Sequence, residues 1–110
     1  MTTHDFTKIK DISAINEVNT DVIITDIYIC DLLSWVAGHV KKDNTALITI
    51  NSSYNVIAVA SLLNISVIVF CDDVMPRTEL ITKANEEGIA LFSYPNSSYE
   101  LAKEISKYEI

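Results

Sequence analysis

The chain has 110 residues, 49% of them apolar and 21% charged, with two glycines, two prolines and two cysteines. That length fits one domain over residues 1–110, and the composition excludes a disordered, collagen-like or disulfide-stapled chain. Fifteen acids against eight bases leave a net charge of −7, so neither nucleic acid nor an anionic membrane is an expected partner, because both select lysine and arginine.

Met1-Thr2-Thr3-His4-Asp5 is not a basic segment leading into an apolar one, so no signal peptide is expected. The apolar runs stop well short of the roughly 20 residues that span a bilayer, and a cytoplasmic protein is expected. A short helix is predicted over about 6–15, with Phe6, Ile9 and Ile12 on one side. Four continuous apolar runs follow, Val22-Ile23-Ile24-Thr25, Ala46-Leu47-Ile48-Thr49-Ile50, Val67-Ile68-Val69-Phe70 and Ile89-Ala90-Leu91-Phe92. Runs of this kind read as parallel strands covered on both faces.

Between them lie helical patterns. Ile29, Leu32, Leu33, Val36, Ala37 and Val40 form a one-face stripe over 29–42, closed by Lys41 and Lys42. Helices are also predicted over 55–63, over 76–87 with Pro76 at the start, a Glu79–Lys83 pair and Gly88 as the stop, and over 98–108 behind an S-x-x-E capping box at Ser97. The alternation predicts an α/β fold, a single three-layer α/β/α domain with a mainly parallel sheet of about four strands.

Helix 55–63 is apolar almost all round. Val56, Val59, Ala60 and Leu63 suit the sheet, which leaves Ile57, Ala58, Ser61 and Leu62 on a second face. Trp35 and His39 flank the stripe of the preceding helix. A second apolar face on adjacent helices predicts a two-fold homodimer through Trp35, His39, Ile57, Ala58, Ser61 and Leu62; the alternative is that other helices of the same chain cover it.

In open parallel sheets ligands bind beyond the carboxyl ends of the strands. There the sequence gathers Asp26 and Tyr28, then Asn51, Ser52, Ser53 and Asn55, then Asp72. These are the candidate ligand-binding residues. Each has a plainer reading as well: Ser52 or Ser53 as helix N-cap, Asp26 as cap of helix 29–42, Asp72 and Asp73 as a polar loop. The functional readings are an anion held near Ser52-Ser53 or a Mg²⁺ held by Asp26 and Asp72, and no fixed spacing supports the metal. Cys30 and Cys71 read as reduced, buried thiols, and with His4 and His39 they make no zinc spacing. Gly38 and Gly88 are the only glycines, so neither a P-loop nor a dinucleotide fingerprint can be written, and no nucleophile elbow or H-E-x-x-H is present. No cofactor, metal or catalytic residue is expected.

Asp31-Leu32-Leu33-Ser34-Trp35-Val36, Ala46-Leu47-Ile48-Thr49-Ile50, Asn55-Val56-Ile57-Ala58-Val59-Ala60 and Ser98-Tyr99-Glu100-Leu101-Ala102, in that order, resemble the DRTGG domain family, over about residues 6–108. That family is similar to the N-terminal domain of HPr kinase/phosphorylase. The resemblance implies a fold like that domain's, homodimerisation, and a regulatory role beside catalytic or CBS domains. The string Asp-Arg-Thr-Gly-Gly is absent, and Thr25 to Cys30 stand where relatives carry glycines, so an anion-binding glycine turn is not carried over. Kinase activity is not carried over either. The expected function is a non-catalytic regulatory module, a homodimer that senses a small phosphorylated or nucleotide ligand or docks on a partner enzyme. The alternative is a phospho-switch at Ser52 or Ser53, similar in logic to an anti-sigma-factor antagonist.

Overall fold

The most β-branched runs of the chain form the middle of its sheet. In a computed structural model describing residues 1–110, β3 (Thr45–Thr49) and β4 (Ile65–Phe70) pair in parallel, Leu47 opposite Ile68. Successive side chains of a strand point to opposite faces. Ala46, Ile48, Val67 and Val69 therefore enter one core, and Leu47, Ile68 and Phe70 the other. β2 (Asp26–Ile29) adds in parallel to β3, β5 (Ala90–Ser93) in parallel to β4, and the two-residue β1 (Ser13–Ala14) antiparallel to β5, giving the order β1-β5-β4-β3-β2. The sheet is thus five-stranded and mainly parallel.

From β2 to β5 each new strand is laid on the same side of the last. Crossovers of one hand then place every connecting helix on one face. α1 (Leu33–His39), α2 (Asn55–Leu62) and α3 (Thr78–Glu87) contribute Val36, Val56, Ile57, Ala60, Leu80 and Ala84 to the same core. The other face is closed by α4 (Ser98–Ile105), through Leu101 and Ile105, and by a 3-10 helix (Thr3–Lys8), through Phe6, whose ring stacks on Phe92 at 5.7 Å. The three-layer α/β/α expectation holds. No helix is long and apolar enough to cross a membrane.

Local chemistry sets the boundaries. Gly88 ends α3 at φ 70°, and Ser97 Oγ caps α4 by accepting from Glu100 N at 3.3 Å. Four expectations need correction. The helix over 6–15 is a 3-10 turn followed by β1, because Asp11 at φ 67° breaks any helical path. Val22 to Ile24 are extended but bond the N-terminal residues, Ile24 N to Met1 O at 2.9 Å, and the first parallel strand lies four residues later at Asp26–Ile29. α1 is the short segment Leu33–His39 rather than 29–42. Lys83 pairs with Glu86 and Glu87, not with Glu79.

Candidate ligand site at the carboxyl edge of the sheet

The order β2-β3-β4-β5 never reverses, so no crevice is imposed by topology where two crossovers diverge. Any site at the carboxyl edge must be built by the loops that leave the strands. Asp31, just beyond β2, organises two of them. Its Oδ1 accepts from Thr49 Oγ1 and from Ile50 N, both at 2.8 Å, and its carbonyl accepts from Asn51 Nδ2 at 3.0 Å. Asn51 Oδ1 in turn accepts from Ser53 N at 3.0 Å. This chain of bonds fixes the β3–α2 loop and delivers Ser52, Ser53 and Tyr54 to the start of α2.

Neither serine does the capping work that its position suggests. The residue before α2 is Tyr54, which makes no side-chain cap, and Val56 N bonds the Ser53 carbonyl. Ser53 is exposed and Ser52 half-buried. Both line a cavity of about 530 Å³ together with Tyr54, Arg77, Glu79 and Leu80. That size lies within the roughly 300–1,000 Å³ of small-molecule clefts. Arg77 is the one arginine of the chain and immediately precedes α3. It belongs to none of the ion pairs, which join Lys8, Lys83, Lys103 and Lys107 to nearby acids. An uncommitted guanidinium, two hydroxyls and the starts of two helices can hold an anion, phosphate above all, since guanidinium and phosphate match geometrically.

The remaining candidates are dispersed. Asn51 supports the loop from behind, and Asn55 opens α2 but does not line the cavity. Asp72 and Asp73 follow β4 with left-handed φ of 56° and 58°, held by bonds from their N–H groups to Asn96 O and Tyr94 O. They do not line the cavity. Asp26 opens β2, at the opposite edge of the sheet, so it cannot join Asp72 around a cation. Tyr28 lies within β2, its hydroxyl accepting from Trp35 Nε1 at 3.0 Å. No group of three or more His, Cys, Asp or Glu side chains is placed to hold a metal ion. Cys71 is fully buried at the end of β4, and burial, then the charges of Asp72 and Asp31, push its thiol up to about 11. It is a proton-bearing core thiol and not a nucleophile.

Of the residues expected at a dimer interface, Ile57 is fully buried within its own chain. Trp35, His39, Ala58, Ser61 and Leu62 are exposed, with Trp35 and His39 stacked at 3.8 Å and Ser61 Oγ bonded to Glu87 at 3.1 Å.

Arg77, Glu79 and Asp31 lie outside the strand-end residues expected to form a site. Arg77 carried a signal, being the lone arginine of an acidic chain just before a helix. Asp31 stood within a motif but looked like an ordinary loop acid, because its partners Thr49 and Ile50 lie on another strand.

No family model and no curated protein sequence matches this chain. Among solved structures it is similar to the CBS and DRTGG domains of the regulatory region of Clostridium perfringens pyrophosphatase, complexed with the activator diadenosine tetraphosphate. The TM-score is 0.61 and the identity 15%, over 72% of this chain and 34% of that one. The match thus spans about a third of the length of that regulatory-region chain. The likeness shows a shared α/β fold.

Proposed function

We propose that this chain is a non-catalytic regulatory module of the DRTGG type that binds a small phosphorylated ligand between Ser52, Ser53 and Arg77, and works as a homodimer or on a partner enzyme. The observation that carries the reading is that the unpaired Arg77 and two serines without hydroxyl hydrogen bonds line one cavity. The fold neighbour supports it, since that protein is a regulatory region complexed with a polyphosphate-bridged dinucleotide. Asp31, the acid that closes this edge, is committed to the β3–α2 loop.

Calorimetric titration of the whole chain with inorganic pyrophosphate tests this. Arg77→Ala is expected to weaken binding by about tenfold or more, the scale of one charge-assisted contact, with Arg77→Lys in between. Binding that ignores Arg77 overturns the reading, as does turnover that depends on it.

A second reading keeps Ser53 as a phosphate acceptor, favoured by its exposed, unbonded hydroxyl at the start of α2. Phosphate there would occupy the place of the ligand phosphate against Arg77. An added phosphate in the intact mass of protein from growing cells, with Ser53→Asp blocking pyrophosphate, is the expected result; an unmodified mass with unchanged binding removes it.

A further inference from the structure

The Arg77 cavity does not stand alone. A second depression of about 290 Å³ is lined by Tyr54, Thr78, Glu79, Thr82, Lys83 and Glu86. The two share Tyr54 and Glu79. Tyr54 is 55% exposed, a large ring left in water between two cavities. Its backbone is anchored: the preceding residue is tied to Asn51, and Ile57 N bonds the Tyr54 carbonyl at 3.3 Å. Glu79 also lacks a counter-ion, because Lys83, the cation one turn along, is held by Glu86 and Glu87 at 3.3 and 3.5 Å. The unpaired Arg77 thus lines only the larger cavity, while the Tyr54 ring and the unpaired Glu79 line both.

We propose that the two cavities form one bipartite site for a nucleoside phosphate. The phosphates lie against Arg77, Ser52 and Ser53. The base stacks on the Tyr54 ring, and its N–H edge donates to the Glu79 carboxylate. A carboxylate repels phosphate but accepts hydrogen bonds from a base, so Arg77, which lines only the larger cavity, and Glu79, where the two cavities join, set the polarity of the ligand. Stacking on an exposed ring is worth about tenfold or more in affinity for any base, since every base has a π face. The inference rests on the phosphate-binding reading above and adds the ligand class.

The test is calorimetry on the full chain with pyrophosphate, ADP and GDP as probes. Both nucleotides are expected to bind about tenfold or more tightly than pyrophosphate. Tyr54→Ala brings the nucleotide-to-pyrophosphate ratio close to one, and Tyr54→Trp preserves it, with circular dichroism confirming that each variant is folded. Glu79→Gln is expected to tighten pyrophosphate and weaken the nucleotides, opposite signs that a purely structural role for Glu79 does not produce. Nucleotides no tighter than pyrophosphate, or Tyr54→Ala weakening all three probes equally, overturns the inference while leaving phosphate binding intact. No binding of any probe to the parent chain overturns the phosphate reading itself, and this inference with it.

Discussion

Asp31 holds the carboxyl edge together, although nothing about it is catalytic. One carboxylate oxygen satisfies a buried threonine hydroxyl and a backbone N–H on the neighbouring strand. Asp31→Ala is expected to destabilise the fold by about 1–3 kcal/mol in urea denaturation, the range for stranding the partners of a charged acceptor, and Asp31→Asn, which keeps an acceptor, by less. Cys71 makes a second prediction. Its thiol is raised from the ordinary 9.0 to about 11 by burial, so the folded chain holds this proton more tightly than the unfolded chain. The stabilisation is complete below about pH 9 and is lost as pH rises through about 11, on the order of 2–3 kcal/mol in all. Urea midpoints are expected to fall over that window, and less so in Cys71→Ala. In the native protein at neutral pH, alkylation is expected at half-buried Cys30 before Cys71. The burial of Cys71 was readable from its run of apolar neighbours, but the same expectation fails for Cys30, which follows the half-solvated edge strand and is only half-buried. The role of Asp31 was not readable, since a hydrogen bond between strands leaves no trace in residue spacing.

α2 shows how far periodicity reaches at the scale of an element. Its apolar character gives two faces nearly equal weight, and its inner face is Val56, Ile57 and Ala60, with Val59 and Leu63 half-buried. Packed between the sheet and its neighbours α1 and α3, the helix buries an arc wide enough to include Ile57. Ile57→Ala is expected to cost about 2–5 kcal/mol, the range for a large core side chain. Leu62→Ala, at 79% exposure in the single chain, is expected to change the stability of the separated monomer by under about 0.5 kcal/mol. Equal effects in thermal unfolding of the monomer would refute this choice of inner face. β2 teaches the complementary lesson. An edge strand is half-solvated, so Asp26 and Tyr28 are tolerated within it, and the more apolar Val22 to Ile24 nearby drew the assignment away.

At the scale of the whole molecule, the chain leaves one sheet edge open at β2, and its exposed apolar side chains include Ile29, Leu32 and Trp35 beside that edge and Leu62 on the adjacent helix. Exposed apolar residues beside an unpaired strand suit a two-fold partner. Sedimentation velocity at micromolar concentration is expected to give twice the 12.3 kDa chain mass, and the double variant Trp35→Glu, Leu62→Glu the single mass. A 12.3 kDa species in the parent chain would refute the dimer. With Ile57 inside, this expectation rests on fewer residues than the composition of α2 alone suggests.

Legible in the residues alone were the fold class, the alternation of helices and parallel strands, the caps at Ser97 and Gly88 and the apolar runs that become β3, β4 and β5. These are short-range properties, set by periodicity and by the backbone preferences of single residues. Only the tertiary structure decided which extended segment joins the sheet, which side of α2 is inside, and that Ser52, Ser53 and Tyr54 meet Arg77 across a cavity. Those outcomes depend on contacts between residues distant along the chain, where strand order and loop anchoring, rather than local pattern, choose among conformations of similar local energy.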